Sequence, residues 1–215
     1  MIIIRNLGLT NWKNVFYEMN KFTKKRNFFS KDEIWFVEHF PIFTVGQKLN
    51  IKKINIKTNI PYEHTNRGGE ITYHGPGQQI IYLLINIKNK KIKPSFFITL
   101  IENIVIKTFN FFSIKSYKKK FFPGIYINKK KVCSIGLRII NGCTLHGLSI
   151  NVDMNLSPFN LIFPCGDKFI KMTQLKDYSS NISFVKLKNI FLYYFTKFFN
   201  IKKIKYKGIR KMNLF

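Results

Sequence analysis

The sequence predicts an α+β fold in a single domain, with strands in the middle of the chain and helices around them. Short apolar runs bounded by Gly, Pro and Asn follow one another between residues 34 and 152. Longer segments near both ends and in the centre have the apolar spacing or the length of helices. No repeat or linker divides the 215 residues, which suffice for one substantial core.

The N-terminal part is predicted as a strand, a helix and two further strands. Met1–Arg5 is short and apolar, which indicates a first strand and not a signal peptide. Apolar residues recur with a helical period from Trp12 to Phe22, so we expect a helix over 10–28 with Thr10 as its N-cap. Two strands separated by a proline follow, over 34–37 and 43–45.

The remaining elements follow from the same patterns. Residues 50–60 alternate Ile with Lys and Asn, which fits an edge strand or a loop. Helices are predicted over 94–112 and 184–199, and we expect the basic tail beyond them to fray. Turns at 128–129 and 141–142 join strands of the second half. The further strands predicted are 80–85, 125–127, 132–139, 144–145 and 148–152.

One segment concentrates residues that a packed core does not need. From Arg67 to Gln78 the sequence RGGEITYHGPGQ holds four glycines, a proline, an arginine and a histidine. Glycine is needed where φ is positive or where a ligand approaches closer than a Cβ permits. A dinucleotide-binding Gly-x-Gly opens a helix, whereas here a short apolar run typical of a buried strand follows. The segment therefore predicts a substrate channel, with Arg67 and His74 at the edges of its loops.

Three further motifs lie downstream of the glycine-rich segment. They read KVCSIGLR from Lys131, GCTLHGLSINV from Gly142 and PCG from Pro164. In order and spacing, over about residues 33–175, the four motifs closely resemble those of the lipoyl(octanoyl) transferases, also called lipoate-protein ligase B. Enzymes of that family move an octanoyl group from acyl carrier protein to lipoyl domains.

The resemblance implies the fold, the reaction and the partners. The implied fold is that of the biotin/lipoate-protein ligases (class II synthetase-like), a mixed β-sheet flanked by helices. A single catalytic domain would span 1–215, with its motifs within 33–175 and a basic tail over 200–215. The octanoyl group would pass from octanoyl-acyl carrier protein, through a cysteine thioester, to a specific lysine of lipoyl domains. The implied acceptors belong to 2-oxoacid dehydrogenases and the glycine-cleavage carrier protein, and no cofactor is implied.

Cys165 is the residue to which the resemblance gives the role of nucleophile. From its neighbours alone, Cys165 is either a thiol exposed on a tight Pro-Cys-Gly loop or a small buried residue, the usual state of a free cysteine. Exchange of one thioester for another is nearly balanced in free energy and splits the transfer into two easier steps. Because a free thiol is mostly protonated at neutral pH, the resemblance assigns its activation and the later proton transfers to Lys131.

The segments around this pair are implied to bind the acyl substrate. Glycines there would let backbone N–H groups approach the thioester carbonyl, as an oxyanion site requires. His146 is an auxiliary candidate, and His74 and His146 either orient the loops or bond near the reacting centre. We expect Tyr73 to wall the channel and assign no chemistry to Glu70. The implied substrate-binding residues are Arg67, Gly68, Gly69, Glu70, Ile71, Thr72, Tyr73, His74, Ser134, Ile135, Gly136, Gly147, Leu148 and Ser149.

The other cysteines and the histidines indicate neither disulfides nor a metal. Cys133 follows Lys131 by two residues, on the same face of a strand, and we interpret it as small packing. Cys143 sits beside Gly142 in a turn and has no predicted role. Three cysteines without Cys-x-x-Cys spacing and four histidines without His-x-x-x-His spacing favour reduced thiols and no metal.

The net charge of +27 and the pI near 10.1 admit two interpretations. A basic face would steer an acidic acyl carrier protein toward the enzyme. The abundant Lys, Asn, Ile and Phe also share A/T-rich codons, and the lysines occur in scattered short runs. We expect no specific nucleic-acid partner and no membrane span, since no apolar run reaches about 18 residues. We also expect a monomer in the cytoplasm.

Two alternative function classes stay open. An ATP-dependent lipoate or biotin ligase would share the fold, but neither a Gly-Arg-Gly-Arg loop nor a three-glycine segment ending in His-Asp occurs in the sequence. A basic nucleic-acid-binding protein or an inactive scaffold would account for the charge without chemistry. Retention of DNA at elevated salt would distinguish that class, because purely electrostatic binding collapses with salt.

Overall fold

Eleven strands and three α-helices form the described part of the chain. A computed structural model describes residues 1–27, 29–49, 57–120, 122–164 and 169–208. The strands are β1 (Ile2–Thr10), β2 (Asp32–His39), β3 (Ile42–Val45), β4 (Tyr62–His64), β5 (Ile71–His74), β6 (Gln78–Leu84), β7 (Tyr117–Lys118), β8 (Gly124–Ile127), β9 (Lys130–Ile140), β10 (Cys143–Asn151) and β11 (Ile204–Lys207). The helices are α1 (Trp12–Lys24), α2 (Pro94–Phe111) and α3 (Phe184–Phe198), with short 3-10 helices at Ser157–Leu161 and Leu175–Asp177.

The strands form one large mixed sheet and one small sheet. The large sheet has the order β11-β1-β2-β6-β10-β9-β8-β7, and the small one the order β4-β3-β5. Within the large sheet β1 runs parallel to β2 and to β11, and the other neighbouring pairs are antiparallel. The predicted α+β class and the mixed sheet flanked by helices are confirmed.

Strand β6 shows how both faces of the large sheet are covered. All seven of its residues are buried. Ile80, Tyr82 and Leu84 belong to an apolar cluster with α1, whereas Ile81 and Leu83 belong to a larger cluster with α2 and α3. Full burial of one large apolar side chain contributes about 1.5–3 kcal/mol. The continuous apolar sequence of β6 therefore fits a central strand with helices on both sides.

Three boundaries differ from the sequence prediction. The cap of α1 is Asn11, whose side chain accepts a hydrogen bond from the Lys13 amide at 2.9 Å, because Thr10 is still paired in β1. The two strands predicted over 144–152 are one strand, β10, which continues through the glycine at 147. The tail does not fray at once, since residues 204–207 pair with the start of β1. Residues 50–56 of the predicted edge strand or loop lie outside the described residues, and 57–60 form no strand.

The glycine-rich segment forms a loop, strand β5, a tight turn and strand β6, as predicted. Gly77 lies in that turn with φ +86, where a Cβ would overlap the carbonyl of Asp153. The Gly77 carbonyl accepts hydrogen bonds from the amides of Val152 at 3.1 Å and Asp153 at 3.0 Å. The turn therefore fixes the end of β10 against the start of β6.

Candidate active site

One pocket opens where the glycine-rich segment lies over β9 and β10. The empty space between its walls is about 660 Å³, which includes space open to solvent. Every substrate-binding residue predicted from the sequence lines it except Tyr73, and Lys131, His146 and Pro164 line it too. The structure thus brings segments from all four sequence motifs to one cavity.

Cross-strand pairing of β9 with β10 brings two of the motifs together. The loop before β5 rests on β9, where the Gly68 amide donates to the Leu137 carbonyl at 3.0 Å. A Cβ on Gly136 would lie 3.2 Å from the Gly68 carbonyl oxygen, so a small residue allows this close approach. The facing pairs that line the pocket are Ser134–Ser149, Ile135–Leu148 and Gly136–Gly147.

Tyr73 lies behind the wall, which corrects the expectation that it walls the channel. Its neighbours Thr72 and His74 line the pocket, whereas Tyr73 belongs to an apolar cluster with Phe43 and Phe159. There its ring packs against Phe43 and Phe159, each with a centroid distance of 5.5 Å. Tyr73 supports the wall by packing.

A chain of buried hydrogen bonds links the glycine-rich segment to the strand of Lys131. His74 Nδ1 lies 2.7 Å from Gln78 Oε1, and Gln78 Nε2 donates to Asn151 Oδ1 at 2.9 Å. Asn151 Nδ2 donates to the Thr173 carbonyl at 2.9 Å, and the Thr173 amide donates to the Lys131 carbonyl at 2.9 Å. Buried polar groups in such a chain are satisfied by one another, so they fix the relative position of the segments.

Three buried histidines lie at the pocket or next to it: His74 and His146 line it, and His39 bonds to the lining residue Tyr82. Burial lowers the pKa of His39 to about 4, and burial is also the largest cause that lowers the pKa of His74 and of His146 to about 3. The Arg67 charge acts in the same direction on His74 and His146. All three rings are therefore neutral at pH 7. The Arg67 guanidinium itself donates to the Thr44 carbonyl at 2.6 Å.

The ring contacts of the two motif histidines favour an orienting role. His74 has both nitrogens engaged, Nδ1 with Gln78 and Nε2 with Thr44 Oγ1 at 3.2 Å. His146 Nε2 lies 2.6 Å from Asn66 Oδ1, and its backbone has the uncommon φ of +61 within β10. A non-glycine residue in that region is strained and is found where surrounding structure enforces it.

Lys131 is a buried cation on the β9 side of the pocket. Its side chain is among the largest that are fully buried, at 1% exposure. The Nζ atom donates to the Pro123 carbonyl at 2.9 Å and lies 5.6 Å from the centroid of the Tyr126 ring. Its amide donates to the Lys171 carbonyl at 2.8 Å. The side chain is held by Pro123 and the Tyr126 ring and the backbone by residues 171–173, so the amine has a defined position.

The predicted nucleophile Cys165 lies outside the described residues, which stop at Pro164 and resume at Phe169. Pro164 precedes it directly in the sequence and lines the same pocket as Lys131. The role of Cys165 stays a prediction.

The other two cysteines are buried, and neither of them lines the pocket. Cys133 packs in the large apolar cluster, and burial raises the pKa of its thiol. The register of β8 with β9 shifts between Ile125 and Tyr126, where β9 has one extra residue. The expectation that Lys131 and Cys133 lie on the same face of a regular strand therefore does not hold. Cys143 is the first residue of β10, where burial raises its pKa. Across the described ranges, no three His, Cys, Asp or Glu side chains are grouped as a metal site requires.

Several pocket residues carried no sequence signal for a site. Trp12 begins α1, Thr65 lies in the loop before Arg67, and Ile80 and Tyr82 belong to β6, which was predicted only as a buried strand. Alternation in β6 could have predicted that Ile80 and Tyr82 share one face, but it could not have predicted which face meets the pocket.

No helix in the described part of the chain is long and apolar enough to cross a bilayer.

Comparison with known proteins defines the class of this site. The family model described as lipoyl protein ligase A/B catalytic domain matches residues 12–196. Among solved structures, lipoate-protein ligase A bound with ATP superposes with a TM-score of 0.79 at 12% identity, covering 97% of this chain and 89% of that one. Biotin protein ligase from Aquifex aeolicus in complex with biotin and ATP has a TM-score of 0.56 at 12% identity, covering 92% and 70%. At these identities the structures show a shared fold alone.

Curated relatives are much closer in sequence. An octanoyltransferase from Buchnera aphidicola subsp. Acyrthosiphon pisum is 53% identical over 201 residues, covering 94% of this chain and 95% of the relative. An octanoyltransferase from Wigglesworthia glossinidia brevipalpis is 48% identical over 214 residues, covering 98% and 97%. The chain belongs to the lipoyl protein ligase A/B catalytic domain family and, within it, to the octanoyltransferases, which are acyltransferases.

Proposed function

We propose that this chain transfers an octanoyl group from octanoyl-acyl carrier protein to a lysine of a lipoyl domain, through a thioester on Cys165. The observation that carries the proposal is the position of Lys131. Its buried side chain lines the same pocket as Pro164, the residue before Cys165, and as the predicted substrate-binding segments. The octanoyltransferase names of relatives at about 50% identity support the same activity.

In the first step the Cys165 thiolate attacks the carbonyl carbon of the donor thioester. A new carbon–sulfur bond forms to Cys165, and the bond to the carrier's sulfur breaks with its electron pair. The departing thiolate takes a proton from the Lys131 ammonium, which becomes a neutral amine. Backbone N–H groups in the pocket would stabilise the oxyanion that forms in between.

In the second step the neutral Lys131 amine takes a proton from the ammonium of the target lysine. The freed amine attacks the acyl-enzyme, forms the amide bond and releases Cys165 as thiolate, while one further proton leaves to solvent. The Cys165 thiolate and the Lys131 ammonium are thereby restored. A cationic neighbour lowers the pKa of a thiol, so the same amine serves both steps. The route needs no cofactor and fits a monomeric cytoplasmic enzyme.

The test is to incubate the enzyme with purified octanoyl-acyl carrier protein and a lipoyl domain, without ATP, and to measure octanoylation of the lipoyl domain by mass spectrometry. We expect one octanoyl group on the acceptor from the wild type and none from Cys165→Ala, which lacks the nucleophile. Lys131→Ala should lose at least about 100-fold, in the range of acid–base contributions. Cys133→Ala is the matched control and keeps near-wild-type turnover. Normal turnover by Cys165→Ala would contradict the thioester route, and a strict need for ATP would favour an adenylating ligase.

A further inference from the structure

We infer that Glu102, in the middle of α2, is a positioning residue for Lys131 and acts through the peptide bond between Pro123 and Gly124. The inference rests on the proposed function, in which Lys131 stabilises the Cys165 thiolate and carries protons. Glu102 belongs to none of the sequence motifs and does not line the pocket.

One peptide group connects the two charged side chains. Its carbonyl, from Pro123, accepts a hydrogen bond from Lys131 Nζ at 2.9 Å. Its N–H, from Gly124, donates to Glu102 Oε1 at 3.3 Å. The C=O and N–H of a trans peptide point in opposite directions, so the ammonium and the carboxylate flank this peptide. A carboxylate on the N–H side polarises the peptide and strengthens its carbonyl as an acceptor, as occurs along chains of hydrogen bonds.

Both charges lie inside the protein. Glu102 is 6% exposed and Lys131 is 1% exposed. A buried charge is tolerated when it is paired and hydrogen-bonded. The titratable and charged groups that act on Glu102 are Lys118 at the sheet edge and Lys131, and the Cys133 thiol is influenced by both Glu102 and Lys131. Burial raises the pKa of Glu102, while the Gly124 amide and the two lysines oppose that rise.

The backbone at Gly124 permits this arrangement. Its φ of +135 is a conformation that side chains rarely allow, and a Cβ there would lie 2.6 Å from Lys131 Cε. The peptide can therefore sit directly against the lysine only because residue 124 has no side chain. The Glu102 carboxylate on the N–H side of this peptide then strengthens the carbonyl that holds the Lys131 amine at the pocket.

The test compares Glu102→Gln with Glu33→Gln. The substituted amide in Glu102→Gln keeps the shape and the hydrogen-bond acceptor of the carboxylate but loses its charge. Glu33 on β2 is 2% exposed and pairs with Arg5 of β1 at 2.7 Å, so Glu33→Gln controls for the removal of a buried carboxylate charge. Iodoacetamide labelling of Cys165 across pH reports the thiolate, and single-turnover acylation by octanoyl-acyl carrier protein reports the chemistry. Thermal unfolding checks that each variant is folded.

We expect the labelling midpoint to rise by about one pH unit in Glu102→Gln, because a less firmly held Lys131 ammonium stabilises the Cys165 thiolate less, and an opposite charge near a titrating group has effects of this size. Loss of the Glu102 charge by itself acts in the other direction, as its influence on the Cys133 thiol shows. Acylation at saturating donor slows about tenfold, with the KM for the donor unchanged. Glu33→Gln leaves both readouts at wild-type values. Glu102→Asp, which keeps the charge, leaves the labelling midpoint at the wild-type value.

Two results would overturn the inference: a wild-type midpoint in Glu102→Gln, or an equal shift in Glu33→Gln or Glu102→Asp. A purely structural hydrogen bond would give the first of these. Failure of the proposed function is separately visible, because the wild type would then form no octanoyl adduct on Cys165. Since Glu102→Asp has an expected outcome of its own, the inference can be refuted even if Glu102→Gln does not fold.

Discussion

Acidification from pH 8 to pH 5 should destabilise this protein strongly, because three histidines are buried in neutral form. His39, His74 and His146 have pKa values lowered by burial to about 4, 3 and 3. In the unfolded chain each returns to its usual value of about 6.5. A group whose folded pKa lies below its unfolded pKa binds its proton more readily after unfolding. Stability is therefore complete well above pH 6.5 and is lost as the pH falls from there toward the folded pKa values.

The magnitude follows from the same values. At pH 5 the unfolded form of each histidine is almost fully protonated while the folded form is almost neutral, which favours unfolding by about 2 kcal/mol per residue, or about 6 kcal/mol together. Domains have a total stability of about 5–15 kcal/mol. The raised pKa of Glu102 works in the opposite direction. The sum is an upper limit because the three rings influence one another.

The assay is urea unfolding at pH 8 and pH 5, followed by fluorescence of the buried Trp12 and Trp35. The free energy of unfolding should fall by several kcal/mol in the wild type. In His74→Gln the difference between the two pH values should shrink by about 2 kcal/mol, with exposed His64→Gln as the control for loss of a histidine. Equal stability at pH 8 and pH 5 would refute the assignment of buried neutral histidines.

Three further predictions concern the site and its partner. Gly124→Ala should lower the free energy of unfolding by about 1–3 kcal/mol because φ is positive there, and it should slow acylation more than about tenfold because the new Cβ displaces Lys131. Gly8→Ala is the control: its φ is +65 and a Cβ there meets no neighbour within 4 Å, so it should be destabilised without slower acylation. Asn151→Leu should reduce the urea-unfolding free energy by about 1–3 kcal/mol for each buried partner left unpaired, the Thr173 carbonyl among them, and unchanged unfolding would contradict the proposed chain of bonds. Raising salt from about 50 to about 300 mM should increase the KM for acyl carrier protein severalfold with kcat unchanged, because the charge of +27 is screened; a salt-independent KM would mean that the charge does not assist docking.

Most of the fold could be predicted because its signals are local. The period of α1, the length of α2 and the turns at 128–129 and 141–142 are written in neighbouring residues. The misses depend on distant partners. β11 forms because its residues pair with the start of β1 some 200 positions away, which no local pattern encodes. β10 continues through Gly147 because strands on both sides hold it in register.

The same division applies to the site. The motif residues were found because glycines and a histidine concentrate in one segment and because the four motifs resemble a family, and only that resemblance singled out Lys131. Glu102 is the single acidic residue of the mostly apolar α2, and its bond to the Gly124 amide exists only in the folded chain. His39 entered the sequence analysis only as one of four histidines without metal-ligand spacing, although it bonds to Tyr82 beside the pocket at 2.8 Å. Such roles arise from tertiary contacts, which the sequence of one element does not contain.

The thioester route is tested most sharply by the intact mass of the protein after incubation with octanoyl-acyl carrier protein, without acceptor and without ATP. We predict one octanoyl adduct per chain, labile to hydroxylamine and mapped to Cys165 by peptide analysis. Cys165→Ala should form none, and added lipoyl domain should remove the adduct from the wild type. A folded wild type with a reduced thiol that forms no adduct, while octanoyl still reaches the lipoyl domain, would contradict the thioester route.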